Sequence, residues 1–127
     1  MATKQTNKIT VKDIIKRKNQ ILKKRQSKKT FYVGSLEGDI VCNVPDTEIV
    51  MDALDMEGRN GDLYLIYNCM VEPNLKSPEL QEAFELDTPM HIVEQILTPG
   101  EVSSLSIELL KCAGYHDSVK LVEEVKN

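Results

Sequence analysis

The chain has 127 residues, 41% hydrophobic and 28% charged, which suits one domain with a modest core. It has no Trp, four Tyr and two Phe, so that core has to be aliphatic; no apolar run reaches the roughly 18 residues of a membrane span, and the opening MATKQTNKIT reads as lacking the apolar segment of a signal peptide. The net charge of −4 hides a split: residues 1–30 hold eleven basic residues and one acid, net +10, whereas residues 31–127 hold five basic and nineteen acidic residues, net −14, an asymmetry that marks an interaction arm.

Residues 10–25, TVKDIIKRKNQILKKR, read as one helix. Thr10 can cap it, with Asp13 three residues on as a weaker capping box. Val11, Ile14, Ile15, Ile21 and Leu22 make a broken apolar stripe, interrupted by Lys18. The helix would run about 24 Å and otherwise show Lys and Arg. KTFYVGSLEGDIVCNV reads as a β-hairpin, Thr30 to Leu36 and Asp39 to Val44. Its residues are β-branched and aromatic, and LEGD supplies the turn glycine. Pro45 stops the second strand because it has no N–H for the ladder.

From Asp46 the pattern turns helical. Asp46 or Thr47 can cap TEIVMDALDMEG, which ends at Gly58. After the turn RNGD, the dense apolar run LYLIYNCMV reads as a buried helix ended by Pro73, with Asn60 or Asp62 as its cap. Its length and tyrosines also fit a strand. Three helix starts follow, Ser77-Pro78, Thr88-Pro89 and Thr98-Pro99, each with a capping hydroxyl before a proline at the first position. Gly114 ends the third of these helices. YHDSVKLVEEVK reads as a last amphipathic helix with Val119, Val122 and Val125 on one side. The expected fold is α+β, mostly α. It has a basic N-terminal arm (1–29), then a hairpin and a bundle of about five short helices (30–127).

Chemistry is sparse. There is no P-loop, GxGxxG or HExxH. MEGRNGD puts glycines near acids as a calcium loop does, but the frame fails: Gly58 at the sixth position puts Ala53 first, and Gly61 there puts Met56 first. A polar turn accounts for it. His116, Asp117 and Ser118 share the letters of a hydrolase triad, yet neighbours on a helix point apart. His91 sits among apolar residues as a partly buried structural histidine, and Glu123-Glu124 reads as a solvated face. Cys42, Cys69 and Cys112 are widely spaced with no CxxC, which reads as three buried small hydrophobes in a reducing compartment. No enzyme, metal or cofactor signal emerges.

MVEPNLKSPELQEAF followed by IVEQILTPGEVSSL resembles the XkdN-like phage tail assembly chaperones. Members carry a Glu-Pro-Asn-Leu motif, a Leu-Gln-Glu-Ala helix and a Pro-Gly-Glu-[Ile/Val] helix start. Here these are Glu72, Pro73, Asn74 and Leu75, then Leu80 to Ala83, then Pro99, Gly100, Glu101 and Val102. The resemblance covers most of the chain from Thr10, including TVKD; FELDTPMH is a weaker match, where members often have an aromatic-Gly pair. It implies a protein without enzymatic activity or cofactor, working in the cytoplasm of the bacterial host. Such a protein binds the long tape-measure protein, and in some systems recruits tail tube subunits, before the tail tube assembles.

The residues fit that role. Short helices and Met51, Met56, Met70 and Met90 can give an adaptable apolar surface for a helical client, though the same methionines serve equally as core filler. VEPNLKSPEL reads as a helix-to-helix junction, with Leu75 plugging the core. The basic helix, with Lys16, Arg17, Lys18, Lys23, Lys24 and Arg25, can dock on the acidic body of another copy and so drive self-association. The alternative is a small basic-armed nucleic-acid-binding or regulatory protein of a phage, since the arm can neutralise phosphates. Against it, no aromatic residues are interleaved with the lysines.

Overall fold

Helix Asn60–Cys69, the central element, is apolar on more than one side: Leu63, Leu65, Ile66 and Cys69 are all buried. A helix of that kind forms where other elements surround it, and α3, α6, α7 and β3 pack against it. The computed structural model describes residues 8–24, 27–115, 119, 121 and 122. Within them the chain runs α1 (Val11–Lys16), α2 (Lys18–Lys24), β1 (Lys28–Val33), β2 (Gly38–Asn43), α3 (Thr47–Leu54), α4 (Asn60–Cys69), β3 (Met70–Glu72), α5 (Pro78–Phe84), α6 (Ile92–Ile96) and α7 (Pro99–Cys112). The fold is mostly helical with one antiparallel sheet of order β1-β2-β3. No helix among the described residues is long and apolar enough to cross a membrane.

The hairpin pairs Lys28 with Asn43 through Val33 with Gly38. Val33, Ile40 and Cys42 are buried, and Phe31 is half-buried against them, so one sheet face supplies the core as the period of two requires. The connection is longer than the expected LEGD turn. Strand β1 stops at Val33, Gly34–Leu36 forms a 3-10 turn, and Glu37 takes a left-handed φ of 51°. Its N–H closes on the Gly34 carbonyl at 3.1 Å.

The expected single helix over residues 10–25 is divided at Arg17, whose φ and ψ of −95° and 10° leave the helical region. Hydrogen bonds still run through the break. Arg17 N–H reaches the Asp13 carbonyl at 3.1 Å, and Ile21 N–H reaches the Arg17 carbonyl at 2.9 Å. The Thr10–Asp13 capping box is complete in both directions.

A second correction concerns the end of α4. The helix stops at Cys69 rather than at Pro73, and Met70 turns extended with ψ 121°. Met70–Glu72 then adds a third strand, Val41 facing Glu72 and Cys42 facing Met70 across a bulge. The open edge of β2 competes for these backbone groups and wins.

Helices α3 and α4 approach closely at Gly61, where an added Cβ would run into the Ala53 carbonyl. Helix α7 also packs on α4 and buries Val102, Leu105 and Leu109. There the Ser106 hydroxyl donates to Asp62 Oδ1 at 2.8 Å, a bond between α7 and the start of α4. Of the three hydroxyl-proline starts, Thr98 caps through its side chain, whereas Ser77 and Thr88 make no such bond. Thr88-Pro89 opens a 3-10 turn, Pro89–His91, that leads into α6. Gly114, with φ 87°, closes α7, and Tyr115 N–H returns to the Leu110 carbonyl at 3.0 Å, a helix ending that favours glycine. The expected last helix over residues 115–126 lies largely outside the described residues, as do His116, Asp117, Ser118, Glu123 and Glu124.

Candidate functional site

The junction between β3 and α5 is built from the Glu72-Pro73-Asn74-Leu75 stretch. The Glu72–Pro73 peptide is cis. Asn74 then folds the chain back on itself. Its Oδ1 accepts from Lys76 N–H at 3.0 Å, and its carbonyl accepts from Ser77 N–H at 3.2 Å, the local bonding that makes Asn a turn residue. Leu75 is driven inward and is completely buried. The Gln81 amide secures the junction from α5, donating to the Leu75 carbonyl at 2.9 Å and the Pro89 carbonyl at 3.2 Å. Lys76 Nζ reaches Asn68 Oδ1 at 3.2 Å and lies 5.2 Å from the centre of the Tyr67 ring. Glu72 is exposed. These groups satisfy the chain itself.

Pro99-Gly100-Glu101 opens α7, and Glu101 does more than cap it. Its carboxylate accepts from Thr98 N–H at 2.9 Å, while Glu101 N–H donates to Thr98 Oγ1 at 3.2 Å. The same carboxylate accepts from Ser35 N–H at 2.9 Å and from the Ser35 hydroxyl at 2.6 Å. Three bonds donated to the carboxylate favour the ionised form, the Ser35 hydroxyl most, and hold its pKa down at about 2. Ser35 has no signal in the sequence that points to Glu101; the partners stand 66 residues apart.

Two of the uncovered surfaces among the described residues combine charge with apolar side chains. The first is the arm: neither α1 nor α2 buries a residue, and Val11 is 74% and Ile15 66% exposed. Lys16, Arg17, Lys18, Lys23 and Lys24 are exposed, while Arg25 lies outside the described residues. The second is the outer side of α3. Glu48, Met51, Asp52 and Asp55 are exposed, and their i, i+3, i+4, i+7 spacing puts them on one face. Met51 is 57% exposed at its middle. Asp52 accepts from the Tyr64 hydroxyl at 3.0 Å, which raises the Tyr64 pKa. The acidic spacing was available in the sequence, but the buried Val50 on the opposite side is what fixes this face outward.

The sequence matches the family model of the phage XkdN-like tail assembly chaperone proteins over residues 1–126. The chain belongs to that family. No curated protein and no solved structure matches it.

In this tail assembly chaperone the four methionines do not share one surface. Met70 is buried in the core and Met90 packs against it, while Met51 is exposed and Met56 half-buried. Cys42 and Cys69 are fully buried, and burial pushes both thiols up to about 12. Cys112, expected inside, is instead exposed at the last turn of α7. His91 lies half-buried with Nδ1 3.7 Å from Glu94 Oε2. Among the described residues no group of three or more His, Cys, Asp or Glu could hold a metal ion. The family is one of assembly chaperones rather than enzymes.

Proposed function

We propose that this chain binds the tape-measure protein of a phage, or of a phage-tail-like particle, and keeps it soluble in the host cytoplasm until the tail tube assembles. The observation that carries this reading is family membership along nearly the whole chain. The surface agrees with it. A long helical client presents apolar seams, and an amphipathic arm with an open seam, together with Met51 on α3, offers contacts of the same kind. Methionine adapts to seams of varied shape. The protein acts by binding alone, without cofactor or catalytic residue.

Co-expression tests the reading. With this chain present, the tape-measure protein partitions to the soluble fraction and co-purifies with it; without it, the tape-measure protein aggregates. An equally insoluble client in both cases would refute the proposal. The exposed lysines of the arm favour one alternative, binding of nucleic acid. Tight, salt-sensitive DNA binding without rescue of the client is the result that would select it.

A further inference from the structure

The two uncovered surfaces match each other. On α1, Val11, Ile14 and Ile15 form an apolar seam flanked by Lys12 and Lys16, all exposed. Lys12 and Lys16 stand four residues apart, about 6 Å along the helix axis, as do Glu48 and Asp52 across α3. Met51 lies among the acids of α3 as the apolar seam lies beside the lysines. Charge and apolar surface therefore complement each other at the same spacing.

We infer that the arm of one copy docks on the α3 face of a second copy. The lysines of α1 meet Glu48, Asp52 and Asp55, and the seam of Val11 and Ile15 covers Met51. Among the described residues, the chain's own arm does not cover this face. Ile21 and Lys24 of α2 line a cleft with Pro45, Asp46, Thr47 and Cys112, beside the start of α3, yet the outer side of α3 stays open. A nucleic acid would satisfy the lysines and leave the isoleucines in water; a second α3 face satisfies both. Donor and acceptor are different surfaces, so the contact is head-to-tail and can propagate. The inference rests on the proposed function in one respect, that α3 is a docking face, and concerns the protein before a client arrives.

Sedimentation velocity of the full chain, without client, tests it across concentration and salt. Mass should rise with concentration at low salt, and the association should weaken at least about tenfold when salt is raised to about 0.5 M, where charges are screened within a few ångströms. Glu48→Lys with Asp55→Lys should weaken it by a similar factor, and so should Lys12→Glu with Lys16→Glu. Unchanged unfolding midpoints in both variants show that folding is intact. Mixing the two variants should restore association, because each reversed arm then meets a reversed face. A chain monomeric at every concentration and salt overturns the inference, and so does a mixture that fails to recover. Client rescue is read separately. Rescue without self-association sinks this inference alone, and self-association without rescue sinks the proposed function alone.

Discussion

At Gly61 the side chain is absent because there is no room for one: a Cβ would meet the Ala53 carbonyl of the facing helix. Gly61→Ala should therefore push α3 off α4 and cost about 1–3 kcal/mol, the range for overpacking a core, measured by denaturant unfolding. A neutral effect would show that the helices can separate freely. Leu75 is the complementary case, a side chain that fills its site completely. Leu75→Ala should cost about 2–5 kcal/mol, and Asn74→Ala about 1 kcal/mol through the lost bond to Lys76 N–H. If either abolished client rescue at unchanged stability, the junction would itself be a binding surface. Glu101 ties stability to pH. Its folded pKa of about 2 lies below the ordinary 4.5, so its contribution is full above 4.5 and is lost as pH falls toward 2. Over that window the unfolding midpoint should drop more steeply in the wild type than in Glu101→Gln, which removes the titrating group but can still accept the capping bond from Thr98 N–H. Parallel curves would contradict this account of Glu101.

At the scale of elements, local chemistry was legible and long-range competition was not. Thr98-Pro99-Gly100-Glu101 announces its helix because cap, proline and acid lie within one turn. The hairpin was visible from its β-branched residues, but its loop was not, because Ser35 is held by Glu101 from a distant helix. Strand β3 was missed for a related reason. Met70-Val71-Glu72 carries no strand signal of its own and completes an apolar run, and its conformation is set by pairing with β2. The arm shows the reverse limit. Its amphipathic stripe is legible in the sequence, but that α1 and α2 bury none of it against the body is not. Because α1 and α2 bury no residue, deleting residues 1–26 should change the unfolding free energy of the remainder by less than about 0.5 kcal/mol. A larger loss would place the arm in the body's core energetics.

At the scale of the whole molecule, the charge split and the arrangement of apolar surface belong to one design. The core is aliphatic and closed around α4, and every buried side-chain polar atom among the described residues has a partner. Exposed charged and apolar side chains lie together outside that core, on a basic arm and an acidic helix. Under the proposed function, contacts made by these surfaces would hold a partner without unfolding the body. Membership of the tail assembly chaperone family gives these surfaces their setting. The most direct measurement removes this gene from its parent element and follows the tape-measure protein. In the deletion the tape-measure protein should become insoluble and tails should fail to form, and supplying the chain in trans should restore both. Normal tails with a soluble tape-measure protein in the deletion would contradict the proposed function.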